Sequence, residues 1–403
     1  MLSSLFQGFL LIVVSWALWR IIRLYVVRSS LDNIWGPPSH SLWRGNMPEL
    51  FSCYAWNFLD KIDKAGQPVA RITGMFNKQA LYIFDPKALH HIILKDQHVY
   101  QRASWAVALN RLTFGPGIFG TLDEQHRKQR KMLNPVFSIN HMCHMTPIFY
   151  DTAHKLRRAV SSQLSSQNDA EVDMLQWMGR TALKLIGQGG LGYVFDPLVA
   201  NARNSYGEAL KAFLPTLGQC LNYRMLAHHH TKFGPASLRR KLLKLIPDQN
   251  VHALKTLVDT MHVRSTQILE GKRMALHTGD EAIKQQVGEG KDIMSILLRA
   301  NMSSLEEDKL NEEELVAQMT SLVFTATDTT SNALSRILDL LTQHLDVQDK
   351  LRAEILEAGQ GQDIPYDKLV DLPYLDAVCR ETLRFAICVA RVHIKFFFED
   401  NFV

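Results

Sequence analysis

From Leu122 to Ala386 the apolar residues recur mostly at intervals of three and four, the spacing of a helix with one buried face. This pattern predicts helices over Leu122–Leu133, His141–Leu164, Val172–Ile186, Asn204–Leu217, Val251–Leu276 and Ile293–Ala300. It continues over Asn311–Leu345, Val347–Ala358 and Pro373–Ala386. Before them, Val69–Ile72 and Ala80–Phe84 read as a short hairpin that turns near Asn77. Asp85-Pro86 opens a helix running to about Lys95, with proline at its first position. Gly279–Gly290 reads as a polar loop, and Ala103–Phe119 and Lys211–Phe233 as variable loops beside a pocket. The expected fold class is mainly α with a small β-sheet.

Met1 to Trp19 contains no charged side chain, and apolar residues continue to Val27. About 20 apolar residues span a bilayer core as a helix. Trp16, Trp19 and Tyr25 suit the membrane interface, and Arg20, Arg23 and Arg28 lie on the C-terminal side. The positive-inside rule then places the bulk of the chain in the cytosol. A cleaved signal peptide fits less well, because a basic start and a small-residue cleavage site are missing. Gly36-Pro37-Pro38 resists helix and reads as a stiff link. The expected organisation is a transmembrane anchor at 1–27, a basic, proline-rich hinge at 28–38, a catalytic domain at 39–386 and a tail at 387–403.

The longest predicted helix carries most of the information. Asn311 is placed to cap it, with Glu314 at the capping-box position. Its centre reads Thr325-Ala326-Thr327-Asp328-Thr329-Thr330. Threonines are poor helix formers, and their hydroxyls bond back to carbonyls one turn earlier. Such a cluster predicts a locally opened helix lining a polar pocket. The alternative is a helix with one wet face.

Composition narrows the class. The chain has 403 residues, 46% of them hydrophobic and 21% charged, which excludes wholesale disorder. Of the net charge of +5, three units precede the first acid, Asp32, so no basic face for nucleic acid is indicated. Five scattered cysteines exclude a disulfide framework, and no CxxC pair supports a zinc ribbon. Gly187–Gly192 matches GxGxxG, but the segment before it has helical spacing, and dinucleotide binding needs a strand there. His228-His229-His230 and the group His141, Cys143 and His144 read as loop and packing residues rather than metal ligands.

Taken in order, several short motifs resemble the cytochrome P-450 family, the haem-thiolate monooxygenases, in its fungal, membrane-bound form. The hinge at Gly36-Pro37-Pro38 fits. Phe114-Gly115-Pro116-Gly117 followed by Glu124–Arg130 resembles the family's WxxxR helix, with His126 in the tryptophan place. Thr325–Thr330 resembles its oxygen-binding helix, and Leu372–Ala377 leading to Glu381-Thr382-Leu383-Arg384 resembles its ExxR helix. The resemblance implies a haem b cofactor, with Arg130 and His126 donating to a propionate and small Ala326 leaving room for dioxygen. It implies that Asp328 and Thr329 relay protons, and that Glu381 and Arg384 are structural. It further implies O2, an apolar organic substrate of secondary metabolism or a xenobiotic, and a membrane-bound, NADPH-dependent flavoprotein reductase. The expected location is the endoplasmic reticulum membrane, single-pass, with the domain cytosolic.

The chain departs from the pattern at the iron ligand. The family's cysteine lies in Phe-x-x-Gly-x-Arg-x-Cys-x-Gly, and none of Cys53, Cys143, Cys220, Cys379 and Cys388 has that context. A thiolate ligand is what favours O–O cleavage. The expectation is therefore a fold incomplete at its C-terminus, with no metal ligand and doubtful haem binding. The alternative function is a non-catalytic remnant. Poor folding is also expected, including a costly half-satisfied buried charge at Arg384.

Overall fold

The computed structural model describes residues 11, 14–16, 18–19, 22, 30–41, 43–52, 54–74, 77–96, 99–165, 171–198, 205–220, 223, 234–279 and 290–385. The described residues divide into two compact units, those before Ser104 and those from Ser104 to Phe385.

In the first unit, helices α1 (Met47–Leu50) and α2 (Ala55–Lys64) precede a hairpin of β1 (Val69–Thr73) and β2 (Gln79–Ile83). The strands are antiparallel, pairing Val69 with Ile83 and Thr73 with Gln79. Asn77 adopts a left-handed φ of 57°, the turn conformation that asparagine tolerates, where the sequence places the turn. The described part of the hinge docks onto this hairpin. The Arg71 N–H donates to the Trp35 carbonyl at 2.8 Å, and the Arg71 side chain pairs with Asp32. A Cβ on Gly36 would lie 2.0 Å from the Arg71 carbonyl, so only glycine fits that crossing. Fully buried Asn46 ties the segment down. Its side chain donates to the Pro38 carbonyl and accepts from the Thr73 N–H, both at 3.0 Å. Asp85 caps α3 (Pro86–His90), which passes into a π-turn at His91–Lys95.

The predicted anchor lies largely outside the described residues. Among the described residues no helix is long and apolar enough to cross a membrane.

The second unit is helical. Its elements are α4 (Ser104–Phe114), α5 (Asp123–Leu133), α6 (Ile139–Ser165), α7 (Met174–Leu185), α8 (Ser205–Gln219), α9 (Ala236–Leu243) and α10 (Gln249–Thr278). They are followed by α11 (Ile293–Ser303), α12 (Glu312–Gln343), α13 (Leu345–Gly359), α14 (Tyr366–Val370) and α15 (Pro373–Phe385). The 32 residues of α12 span about 48 Å, and α7, α8, α10 and α15 pack against it. Leu315, Met319 and Val323 of α12 meet Leu183, Phe213, Met261 and Met294 in one continuous core. Each such side chain contributes about 1.5–3 kcal/mol on leaving water.

Two sequence expectations change. The stretch Ala103–Phe119 is not wholly loop, since most of it is α4. Its buried residues are Ala108, Thr113 and Phe114, of mixed chemistry, so the sequence shows no continuous apolar stripe there. Most of the described part of Lys211–Phe233 likewise belongs to α8, which continues through Pro215.

Candidate functional site

The first turn of α12 fixes the helix against α5. Asn311 and Glu314 form the predicted capping box, each side chain accepting from the other's N–H at 2.9 Å. The Glu314 carboxylate also accepts from Gln125 at 2.8 Å and from Gln129 at 2.9 Å. Burial alone would push this carboxyl up, but the Asn311 N–H, Gln125 and Gln129 hold it below the usual range. Gln129 donates as well to the Pro116 carbonyl at 2.9 Å and accepts from Thr121 at 3.1 Å. One glutamine thus joins α5, the 115–121 loop and α12. Gly117 completes this contact, because a Cβ there would sit 3.0 Å from the Ala317 backbone.

With Gln129 and Leu133 facing inward, α5 leaves His126 and Arg130 one turn apart on another face. His126 is half-buried and Arg130 exposed. Among the described residues Arg130 has no acidic partner, so its fork of donors remains available for an anionic group.

The centre of α12 does not open. Thr325 donates to the Ser321 carbonyl at 2.8 Å, Thr327 to Val323 at 2.7 Å and Thr329 to Thr325 at 2.6 Å. Back-bonding satisfies the hydroxyls within an intact helix, so the expected opening is corrected. The expected polar pocket is present. A cavity of about 390 Å³ adjoins this stretch, lined by Phe324, Thr327, Asp328, Ser331 and Asn332 of α12. Asp173, Gln176 and Gly179 bound it on the α7 side, Glu208 and Lys211 on α8. Gly179 makes room for Lys211, whose Cε would lie 2.8 Å from a Cβ at that position.

Asp328 faces this cavity, and burial pushes its carboxyl above the usual carboxylate value. Ala326 and Thr329, three residues apart, share another face of the helix. Successive residues are turned by about 100°, so Asp328 and Thr329 are neighbours in sequence without a hydrogen bond between them. The structure therefore sets a carboxyl on the cavity side and a small residue with a hydroxyl around the corner.

Glu381 and Arg384 pair on α15 at 2.7 and 2.5 Å, each stabilising the other's charged form. Both side chains are more than 60% exposed. The buried, half-satisfied charge expected at Arg384 is therefore corrected: water solvates it. Half-buried Glu354 in this region accepts from the Tyr374 and Leu375 N–H groups at the start of α15.

The glycine motif Gly187–Gly192 follows a helix, as the spacing before it predicts, and forms a π-turn at Ile186–Gly190, where Gly189 packs on Met145. His141 is buried, which pushes its imidazole down. No metal-holding group of His, Cys, Asp and Glu occurs among the described residues. His228-His229-His230, Cys53 and Cys388 lie outside them. The thiol of Cys379 is pushed up by burial and Asp376, away from the thiolate.

Thus α12 carries a small residue and a hydroxyl at mid-length and a carboxyl on a polar cavity, and α5 carries an arginine with no acidic partner among the described residues. The chain belongs to the cytochrome P-450 family, whose profile it matches over residues 36–395. It is 48% identical over 379 residues to cytochrome P-450 monooxygenase 91 of Postia placenta, covering 94% of this chain and 70% of that protein. It is 50% identical over 364 residues to cytochrome P-450 monooxygenase 81 of the same organism, covering 90% and 66%. It is 44% identical over 376 residues to the ganoderic acid synthetase of Ganoderma lucidum, covering 91% and 68%. The chain thus spans about two thirds of the length of these relatives. By family it is a haem b monooxygenase, an oxidoreductase.

The residues present fit haem b in part. Arg130 and His126 suit its propionates, and small Ala326 suits a flat group lying close to α12. No described cysteine offers an axial thiolate, so the fit is confined to these residues. Sequence reasoning named them, but missed Gln125, Gln129 and Lys211. The glutamines have one sequence signal, a polar pair at i and i+4 on a helix; Lys211 has none.

Proposed function

We propose that the chain acts as a membrane-anchored monooxygenase that inserts one oxygen atom from O2 into an apolar organic substrate. The observation that carries this reading is the division of labour around α12. Ala326 and Thr329 occupy one face, and Asp328 opens onto the polar cavity next to it. Bound haem supplies the activation of dioxygen. The chain's own residues hold the propionates (Arg130, His126), leave space for dioxygen (Ala326) and move protons (Asp328, Thr329).

The carboxyl of Asp328, raised by burial, keeps a proton to higher pH than an exposed aspartate. Water in the cavity recharges it. The Thr329 hydroxyl donates to the Thr325 carbonyl and keeps its lone pairs open to accept a proton, after which rotation delivers its own. Electrons come from a membrane-bound, NADPH-dependent flavoprotein. The uncharged Met1–Trp19 run, followed by three arginines, supports an endoplasmic reticulum anchor with the domain cytosolic. One relative is named for the synthesis of ganoderic acid, which favours a biosynthetic over a xenobiotic role.

Hemin titrated into the full chain and followed by absorbance tests the cofactor assignment. Arg130→Ala should weaken binding by roughly tenfold, the worth of one charge-assisted contact. Equal affinity would remove Arg130 from the site. In the reductase-coupled reaction, Thr329→Ala should raise the ratio of oxygen consumed to product formed. Alkaline carbonate extraction tests the anchor, and release of the intact chain to the soluble fraction would count against it.

A further inference from the structure

His141 lies in the first turn of α6 and is 7% exposed. Its backbone N–H reaches the Ser138 hydroxyl at 3.4 Å, but its ring Nε2 is buried without a hydrogen-bond partner. Buried polar atoms are nearly always satisfied in folded proteins, so the exception needs a reason. A neutral imidazole can carry one ring nitrogen as a bare acceptor. An imidazolium cannot, because both nitrogens then hold a proton and each needs an acceptor.

The anion that acts on His141 is Asp292, the cap of α11, and it is already engaged. One of its oxygens accepts from the Lys272 ammonium of α10 at 2.6 Å and from the Ser295 hydroxyl at 2.7 Å. The other accepts from the Ser295 N–H at 3.0 Å. A carboxylate has about four lone-pair sites, so one is left. Both side chains of the Asp292–Lys272 pair are buried, 0% and 4% exposed. On α6 itself His144 faces His141. The turns packed on the start of α6, Asn134–Phe137 and Ile186–Gly190, carry no ionisable side chain. On α7, Arg180 and Lys184 are turned to Asp196. The segment before α14 meets α6 farther along, where Asp363 pairs with His154. Burial and His144 push the imidazole down, against the weaker pull of Asp292.

We propose that His141 is an acid-sensitive latch that holds the start of α6 to the joint of α10 and α11 only while its imidazole is neutral. A proton taken from solvent sets His141 against Lys272 for one buried carboxylate. Breaking a buried pair is strongly destabilising, so the favoured outcome is a state in which the first turn of α6 has carried its imidazolium into water. The Asn134–Phe137 turn runs straight on from α5, so release also slackens the end of the helix that carries Arg130. The folded imidazole takes its proton at lower pH than the released one, whose ordinary value is 6.5. The latch is therefore fully closed above pH 6.5 and weakens as the pH falls from there towards the folded value.

The test is hydrogen exchange of the full chain at pH 7.5 and pH 5.5, resolved by peptide and corrected for the intrinsic rate at each pH. In the wild type, peptides over 130–146 and 290–296 should lose protection at pH 5.5, while those over 315–323 in the core of α12 keep it. His141→Phe fills the same space and takes no proton, so its protection over these segments should not change between the two pH values. His141→Asn serves the same comparison if the phenylalanine variant does not fold. His144→Phe should still lose protection in acid, because the titrating group remains. Three results overturn the proposal: no loss in the wild type, a loss spread evenly into 315–323, or an equal loss when His141 is replaced.

Discussion

Replacing Glu314 probes the joint on which the site's geometry depends. Its carboxylate accepts from the Asn311 N–H, Gln125 and Gln129, all at 2.8–2.9 Å. In Glu314→Ala the capping box loses its return bond, worth about 1 kcal/mol. Gln129 is fully buried and loses a charged acceptor, worth about 1.5–3 kcal/mol. Gln125 is exposed and turns to water, so it adds little. The total loss is about 3 kcal/mol, a fall of several degrees in unfolding temperature for a domain of this size. The pH dependence gives a second readout. The folded carboxyl sits below its ordinary value of 4.5. Its contribution is therefore complete above pH 4.5 and is lost as the pH falls towards the folded value. Thermal melting by circular dichroism at pH 7 and at pH 4 measures both. The gap between wild type and Glu314→Ala should narrow at the acid end. A variant that melts with the wild type at pH 7, or a gap that widens in acid, would refute the reasoning.

Asp328→Asn should raise the unfolding temperature at pH 7 while slowing the coupled reaction. A carboxyl whose folded value is raised opposes folding once it must ionise, so the gain should vanish as the pH falls below the ordinary value of 3.8. Lys272 and Asp292 form a buried pair at 2.6 Å, with Ser295 bonded to both. Lys272→Met should cost about 3–5 kcal/mol in urea unfolding, because it strands a buried carboxylate. Glu381→Ala and Arg384→Ala should each melt with the wild type, since their pair stands in water.

The elements themselves were legible in the sequence. Apolar spacing located α5, α6, α7, α8, α10, α11, α12, α13 and α15 to within a few residues, because a helix facing a core must repeat every 3.6 residues. The cap at Asn311–Glu314, the turn at Asn77 and the helical approach to Gly187–Gly192 followed from local chemistry that acts over a few residues. Motif order along the chain supplied Arg130, Ala326, Asp328 and Thr329. Tertiary structure decided the rest. Whether the threonines of α12 open the helix depends on hydroxyl geometry, and they back-bond instead. Whether Arg384 is a buried charge depends on what covers α15, and it stands exposed. The cavity at Asp328 is lined by Gly179 and Lys211, 32 positions apart in sequence, which only packing of α7 and α8 brings together. Gln129 meets Pro116 and Glu314, 13 and 185 positions away, only once the chain has folded. Spacing reports which face of each helix is buried, but the partner buried against it is set by packing between distant segments.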